Sequence, residues 1–414
     1  MNILFVTPRL CYPEAPYAGE KITYHLMKDL ASRGHKIFLI TGLLPGTKLH
    51  LKEIESFGTV LETIDVPITQ FDILKAAAIW LTKGFRGGLT IRKKAALAVA
   101  RFTPKIHFDI IHVEHTALGQ YIQKPDRIPM TIVAHDVLLK PALREYQSSK
   151  GIGKAINYVR FWMTRKNELS IYRRFDKIYT LSDFDRKILS GYNKNLNVSV
   201  LSPHVMLRDV TGGDAYREPN SILFIGAMDR HVNGNAVRYF YKDIYPQIKK
   251  EIPDSTFYVV GNNPPEDIRK MAQTDKSVHI TGFVEDVAPF YQKASVFIAP
   301  LSVGGGIIMK ILDSMAAGLP VVTTTIGNEG IEAVPERDIL IADSPIEFAR
   351  QVALLLKDQM RWRSISENGR IFVRNKFSWD CTIHKVEDDF HKLAAGAAKA
   401  HHREKDCFKH EKHV

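Results

Sequence analysis

The stretch Gly304-Gly305-Gly306-Ile307-Ile308-Met309-Lys310-Ile311-Leu312-Asp313-Ser314-Met315-Ala316-Ala317-Gly318-Leu319-Pro320-Val321-Val322 follows the apolar run Ala294 to Pro300 and precedes Thr323-Thr324-Thr325. It reads as strand, glycine turn, helix, strand. A helix whose first turn follows three glycines leaves its free N–H groups and positive dipole end open to an anion, with no side chain blocking a close approach. Lys310 in the first turn adds a mobile positive charge. Asp313, one turn further on, is spaced to accept hydrogen bonds from the hydroxyls of a sugar or ribose.

Outward from this turn the same rhythm fills the chain. Strand-like runs at Ile3 to Thr7, Lys36 to Thr41, Val60 to Val66, Ile110 to Val113, Thr131 to Ala134, Lys177 to Thr180 and Val198 to Leu201 alternate with longer helical patterns. A second series runs through Ser221 to Gly226, Thr256 to Val260, Val278 to Thr281, Val296 to Pro300, Pro320 to Thr324 and Ile339 to Ile341. Alternating strands and helices predict parallel sheets covered on both faces, and two series predict two doubly wound α/β domains. The length of 414 residues fits that division. The polar bend between Arg208 and Asn220 marks the boundary, giving domains over 1–208 and 209–376, a helix over 377–398, and a disordered tail over 399–414.

Composition narrows the class. Formal charge is +12, from 57 basic and 45 acidic residues, which favours anionic partners. Three scattered cysteines, Cys11, Cys381 and Cys407, build neither a disulfide framework nor a tetrahedral zinc site, and a reducing cytoplasm fits them best. The first residues, Met1-Asn2-Ile3-Leu4-Phe5-Val6-Thr7-Pro8, begin as a strand rather than a signal peptide or membrane anchor. No apolar run reaches the roughly 20 residues that span a bilayer.

The order Gly-Gly-Gly, Lys310, Ile-Leu-acid, Met-Ala-Ala-Gly-Leu-Pro-Val-Val, then Ile326-Gly327-Asn328-Glu329-Gly330-Ile331, resembles the nucleotide-sugar site of retaining glycosyltransferases of the two-domain GT-B type, family 4 or group 1. The Gly-Gly-Gly turn is similar to that of a subgroup that builds envelope polysaccharides. The resemblance implies two Rossmann-like domains facing across a cleft, the first binding acceptor and the second binding nucleotide sugar, with the 377–398 helix crossing back to the first. Most members frame the turn with two glutamates eight positions apart, where this chain has Gly305 and Asp313, and the subgroup's arginine is replaced by Ile308. Many relatives hold the diphosphate with an arginine and a lysine in the loop after Gly226. Here those places carry Ala227 and Asn233, leaving Arg230 as the cation of that loop. Gly282-Phe283-Val284 resembles the turn whose backbone pairs with the nucleobase, and an ordinary loop with Glu285 or Asp286 capping the next helix is the simpler alternative.

In the first half, Ala18-Gly19-Glu20-Lys21 starts a helix after the first strand and is similar to the loop that faces the transferred group in the family. His115 and His135 close two successive strand-like runs, where open parallel sheets present ligand groups. A strand-end histidine is as readily a structural group; the family resemblance implies contact with the donor sugar or its phosphate. His112 reads as structural. Asp183-Phe184-Asp185 follows Ser182 and reads as a helix start rather than a metal site. Residues 73–106 carry eight Lys or Arg and no acid, and 140–175 carry nine with only Glu145 and Glu168, interleaved with apolar and aromatic residues. A solvated helix face and an anionic bilayer surface both account for such segments.

The resemblance thus implies a retaining, metal-independent glycosyltransferase of cell-envelope polysaccharide synthesis, cytoplasmic and peripheral on the inner membrane face. No cofactor is expected beyond a nucleoside-diphosphate sugar as donor, and the acceptor would be a glycan or lipid-linked. The diphosphate and nucleoside would fall to Gly226, Arg230, Gly282, Val284, Gly304, Gly305, Gly306, Ile307 and Lys310, with hydroxyl contacts from Asp313 and sugar orientation from Gly19, His115 and His135. An alternative is a catalytically inactive subunit of the same fold that organises a glycan assembly complex. Nucleic-acid binding has only the net charge behind it, since no reading motif is present.

Overall fold

The computed structural model describes residues 1–15, 17–66, 89–205, 217–303 and 306–410. The chain forms two compact units, Met1–Pro203 with Asp380–Val414, and His204–Trp379.

The first unit holds a parallel sheet of seven strands: β1 (Asn2–Thr7), β2 (Lys36–Leu43), β3 (Gly58–Asp65), β4 (Ile110–Glu114), β5 (Met130–Ala134), β6 (Lys177–Thr180) and β7 (Val198–Val200). Their order is β3-β2-β1-β4-β5-β6-β7. Every residue of β4, β5 and β6 is buried, which is why these runs show no alternation in sequence: helices cover both faces. The strand order reverses between β1 and β4, so a crevice opens at the carboxyl ends of those two strands.

The second unit repeats the plan with β8 (Ser221–Ile225), β9 (Thr256–Val260), β10 (Val278–Gly282), β11 (Val296–Ala299), β12 (Val321–Thr323) and β13 (Leu340–Ile341), ordered β10-β9-β8-β11-β12-β13. Its reversal lies between β8 and β11. Phe224, Phe240, Phe257 and Phe348 are fully buried in its core, Phe240 and Phe257 with ring centroids 4.7 Å apart.

The break between units falls at Pro203, ahead of the expected 208, and the second unit runs through Trp379 rather than 376. Packing explains both differences. Val205 and Phe377 are buried in the second core, and the His204 ring meets Trp379 edge-on at 5.3 Å. The segment from 399, expected as a disordered tail, is instead helical through His410, because one helix runs from Trp379 to His410. Alanines at 394, 395, 397, 398 and 400 supply intrinsic propensity where no apolar stripe exists; residues 411–414 lie outside the described residues. Helix Asp183–Tyr192 is capped by Ser182, whose hydroxyl accepts from the Asp185 N–H at 3.1 Å. Asp185 is itself buried and pairs with Lys140 at 2.9 Å, so Lys140 belongs to the interior and not to a basic surface. Among the described residues no helix is long and apolar enough to cross a membrane.

Candidate functional site

In the second unit the loops leaving β8 and β11 carry the residues singled out in the sequence. Beyond β8, Gly226 leads to Arg230, the residue capping helix His231–Tyr239; beyond β11, Gly306 and Ile307 lead to helix Met309–Ala316. Two helix N-termini therefore start from the two strands that flank the reversal, with their free N–H groups at the carboxyl edge of the sheet. Gly306 has φ of 73°, a left-handed conformation that favours glycine. A Cβ on Gly330 would lie 2.4 Å from the Gly306 carbonyl oxygen, so the Ile326–Ile331 segment packs its backbone directly against this turn. Gly304 and Gly305 lie outside the described residues.

Lys310 is the centre of this arrangement. Its ammonium donates to Asn233 Oδ1 at 2.7 Å and lies 4.2 Å from the centroid of the Phe224 ring, while the Asn233 amide donates to the Ala227 carbonyl at 2.8 Å. A Cβ on Gly226 would fall 2.8 Å from Lys310 Nζ and 2.7 Å from Asn233 Nδ2, so only glycine leaves room for the pair. Burial, and then the positive charge of Arg230, push the Lys310 ammonium down to about 7. Lys310 and exposed Arg230 thus charge one end of this sheet, and a bound anion would relieve their repulsion. Asp313 sits one turn along the same helix, half-buried, with its charge adding to the burial that raises the Tyr291 phenol.

Gly282 ends β10 with φ of 73°, and Val284 packs against the core of the unit while Phe283 stands 75% exposed. Asp286 accepts from the Ala288 N–H at 2.9 Å, but the residue capping helix Ala288–Lys293 is Val287, so neither Glu285 nor Asp286 is its N-cap. A cavity of about 500 Å³ opens at the ends of β11, β12 and β13, with Asn235, Tyr239, Ser302, Thr324 and Asp343 among its walls. It is large enough for a sugar and its hydroxyl partners.

In the first unit, the ends of β4 and β5 bring His115 and His135 together with their rings stacked at 4.1 Å. Gly19 closes on the same ring: a Cβ there would lie 2.8 Å from His135 Cε1 and Nδ1. His135 Nε2 pairs with the buried carboxylate of Glu114. Burial alone would raise Glu114, but the charges and hydrogen bonds of His135 and His112 hold it well below the usual carboxylate range. His115 adopts φ of 69°, a strained conformation for a side-chain-bearing residue, and burial followed by the charge of His135 pushes its imidazole down to about 3, so it is neutral at physiological pH. His112 is fully buried, donating or accepting at Thr131 Oγ1 over 2.7 Å and packed on Phe5, which makes it a core residue. Buried Glu20 and its partner Arg9, 3.2 Å apart, complete the end of this sheet.

Sequence reasoning missed Glu114, Glu20 and Arg9 in the first unit and the anchoring role of Asn233 in the second. The signal for Glu114 was its place at the end of β4, where the pairing of Glu114 with Val133 sets it two residues short of the His135 level.

Comparison with known proteins decides the family. Residues 19–206 match the family model described as Glycosyltransferase Family 4, and residues 219–358 match the model described as Glycosyl transferases group 1. The chain belongs to this glycosyltransferase group. It is 24% identical over 233 residues to an uncharacterized 44.6 kDa protein in the cps region of Klebsiella pneumoniae, a match over 51% of this chain and 60% of that protein. The match therefore spans less than two thirds of that relative's length. A second relative, 26% identical over 146 residues, is the GDP-mannose-dependent monoacylated alpha-(1-6)-phosphatidylinositol monomannoside mannosyltransferase of Corynebacterium glutamicum, covered over 38% of its length and 33% of this chain. Among solved structures, sucrose-phosphate synthase from Thermosynechococcus elongatus superposes with a TM-score of 0.68 at 16% identity, over 96% of this chain and 100% of that one. Anabaena HepE, in complex with UDP and glucose, gives 0.65 at 12% identity, over 94% and 99%. These likenesses establish for the glycosyltransferase the fold read from its sequence, two Rossmann-like domains of the GT-B type.

Proposed function

We propose that this glycosyltransferase moves a hexose-type sugar from a nucleoside-diphosphate sugar to a glycan or lipid-linked acceptor in cell-envelope polysaccharide synthesis, retaining the anomeric configuration and needing neither metal nor cofactor. The observation that carries the reading is the Lys310 ammonium, held by Asn233 over Phe224 where two helix N-termini meet the sheet edge. An oxyanion leaving group there meets a cation, Arg230 and oriented N–H groups that need no rearrangement as charge develops. Gly226, Gly306 and Ile307 offer the diphosphate backbone to lie against, and Gly304 and Gly305, outside the described residues, are assigned to the same role from the sequence. Gly282 and Val284 offer backbone to the base, and Asp313 accepts from hydroxyls. In the first unit, Gly19, His115 and His135 orient the transferred sugar, His135 fixed by Glu114 and neutral His115 supplying an uncharged face.

The donor class is supported by HepE, solved with UDP and glucose, and by the GDP-mannose-dependent relative, whose name also describes a lipid-linked acceptor. Envelope synthesis is supported by the cps-region relative. A peripheral place on the anionic inner membrane face, from the cytoplasmic side, is supported by helix Gly151–Tyr172. There Ile152, Ile156, Val159 and Trp162 are exposed beside Lys154, Arg165 and Lys166. Of the other basic segment, residues 73–88 lie outside the described residues.

The glycine at 305 and the isoleucine at 308, in place of the family's glutamate and arginine, favour the alternative of an inactive binding subunit. Incubating purified protein with a panel of nucleoside-diphosphate sugars and acceptor extracts separates the two. Sugar transfer with nucleotide release supports the enzyme; no turnover with any donor, despite donor binding, supports the subunit.

A further inference from the structure

His35, Glu387 and His391 converge in the first unit, away from the ends of its strands that carry the candidate site. His35 is the residue before β2 and is buried, while Glu387 and His391 stand one helical turn apart on the helix Trp379–His410 and so share a face. His35 Nε2 lies 2.9 Å from Glu387 Oε1, and the His35 and His391 ring centroids are 5.7 Å apart. One nitrogen or oxygen from each of the three residues lies within 4.8 Å of the others.

We propose that these three side chains form a structural site for a divalent transition-metal ion of the zinc type, which fastens the long helix to the start of β2. Two imidazoles and one carboxylate are a donor set that suits zinc, with a fourth position left for water. Tetrahedral ligands about 2.0–2.2 Å from zinc stand roughly 3.4 Å apart, so small side-chain rotations that open the 2.9 Å His35–Glu387 contact and set His391 at the same spacing admit the ion. The surroundings already orient the ligands. The Arg33 guanidinium donates to Glu387 Oε2 at 3.1 Å, leaving Oε1 toward His35, and Met1 nitrogen lies 3.3 Å from His35 Nδ1, so Nε2 faces the site. His384, on the same helix, lies against Arg33 at 3.2 Å and not against the three ligands. The proposal is independent of the transfer reaction and of any donor.

The test uses the full chain, stripped with a chelator and titrated with zinc chloride. One tightly bound zinc per chain and a raised thermal midpoint are expected, and cobalt in its place should give the visible bands of a four-coordinate site. His391→Ala, an exposed position, should leave the metal-free midpoint unchanged and abolish both the midpoint rise and the cobalt bands. A variant with alanine at His401, His402, His410 and His413 should keep them. The proposal is overturned if zinc gives no saturable shift, if His391→Ala binds zinc as the parent does, or if the shift disappears with the four downstream histidines.

Discussion

If Lys310 titrates near 7 in the free protein, donor affinity must depend on pH in a defined way. Below pH 7 the ammonium is charged and ready for a diphosphate; above it, binding must first take up a proton. The diphosphate of a nucleotide sugar does not itself titrate between pH 6 and 8.5, so the slope belongs to the protein. Well above the free-state value each pH unit costs about 1.4 kcal/mol, a factor of ten, giving about a 15-fold loss of affinity between pH 7 and pH 8.5 and a flat profile below about pH 6. Isothermal titration of the best-binding nucleotide sugar, in buffers of different ionisation enthalpy, should show uptake of nearly one proton per donor at pH 8. Lys310→Arg keeps its charge throughout and should give a flat profile. Asn233→Asp places a carboxylate where the ammonium now donates at 2.7 Å, and should move the bend to higher pH. A flat profile in the parent protein, or an equal slope in Lys310→Arg, would refute the assignment.

Gly226→Ala drives a methyl into Lys310 Nζ and Asn233, and should cost about 1–3 kcal/mol in a urea melt and weaken donor binding further by displacing the ammonium. Gly19→Ala should disturb the His135 ring and lower the transfer rate more than donor affinity, read as kcat against KM. Glu168 is buried, accepting from the Leu138 and Leu139 N–H groups at 2.9 Å each, and burial pushes its carboxyl up to about 7. Its folded value is raised, so its contribution is full below the unfolded carboxylate range and is lost as pH rises through about 7. Glu168→Gln should therefore flatten the fall in urea midpoint between pH 5 and pH 8.

Much of the fold was legible because its strands are written as short apolar runs. Ile3-Leu4-Phe5-Val6 and Val296-Phe297-Ile298-Ala299 are wholly buried, and each lies beside the reversal of strand order that positions a candidate site. Gly226 and Lys310 were both legible as site residues, yet their mutual fit was not. Eighty-odd residues separate them, and only the pairing of β8 with β11 brings Gly226 against the ammonium. Asn233 shows the cost of reading by family pattern alone. As the replacement for a loop lysine it looked like a lost cation, whereas its carboxamide fixes the cation that remains. Glu114 was opaque for another reason. In a strand buried on both faces, hydropathy carries no period, so nothing in the sequence tells that the Glu114 carboxylate turns to His135 and His112. The extension of this helix from 399 to His410 was missed because the polar run from Lys399 to His410 has no amphipathic signature.

On this proposal a nucleoside diphosphate docks where Lys310 meets the two helix N-termini. A thermal-shift screen of the full chain against nucleotide sugars tests it most directly. At a hundred times its dissociation constant, a true donor should add about 2.7 kcal/mol of stability, and Lys310→Ala should remove that gain. An unchanged melting temperature across the whole panel, or a full shift retained in the variant, would contradict the claim.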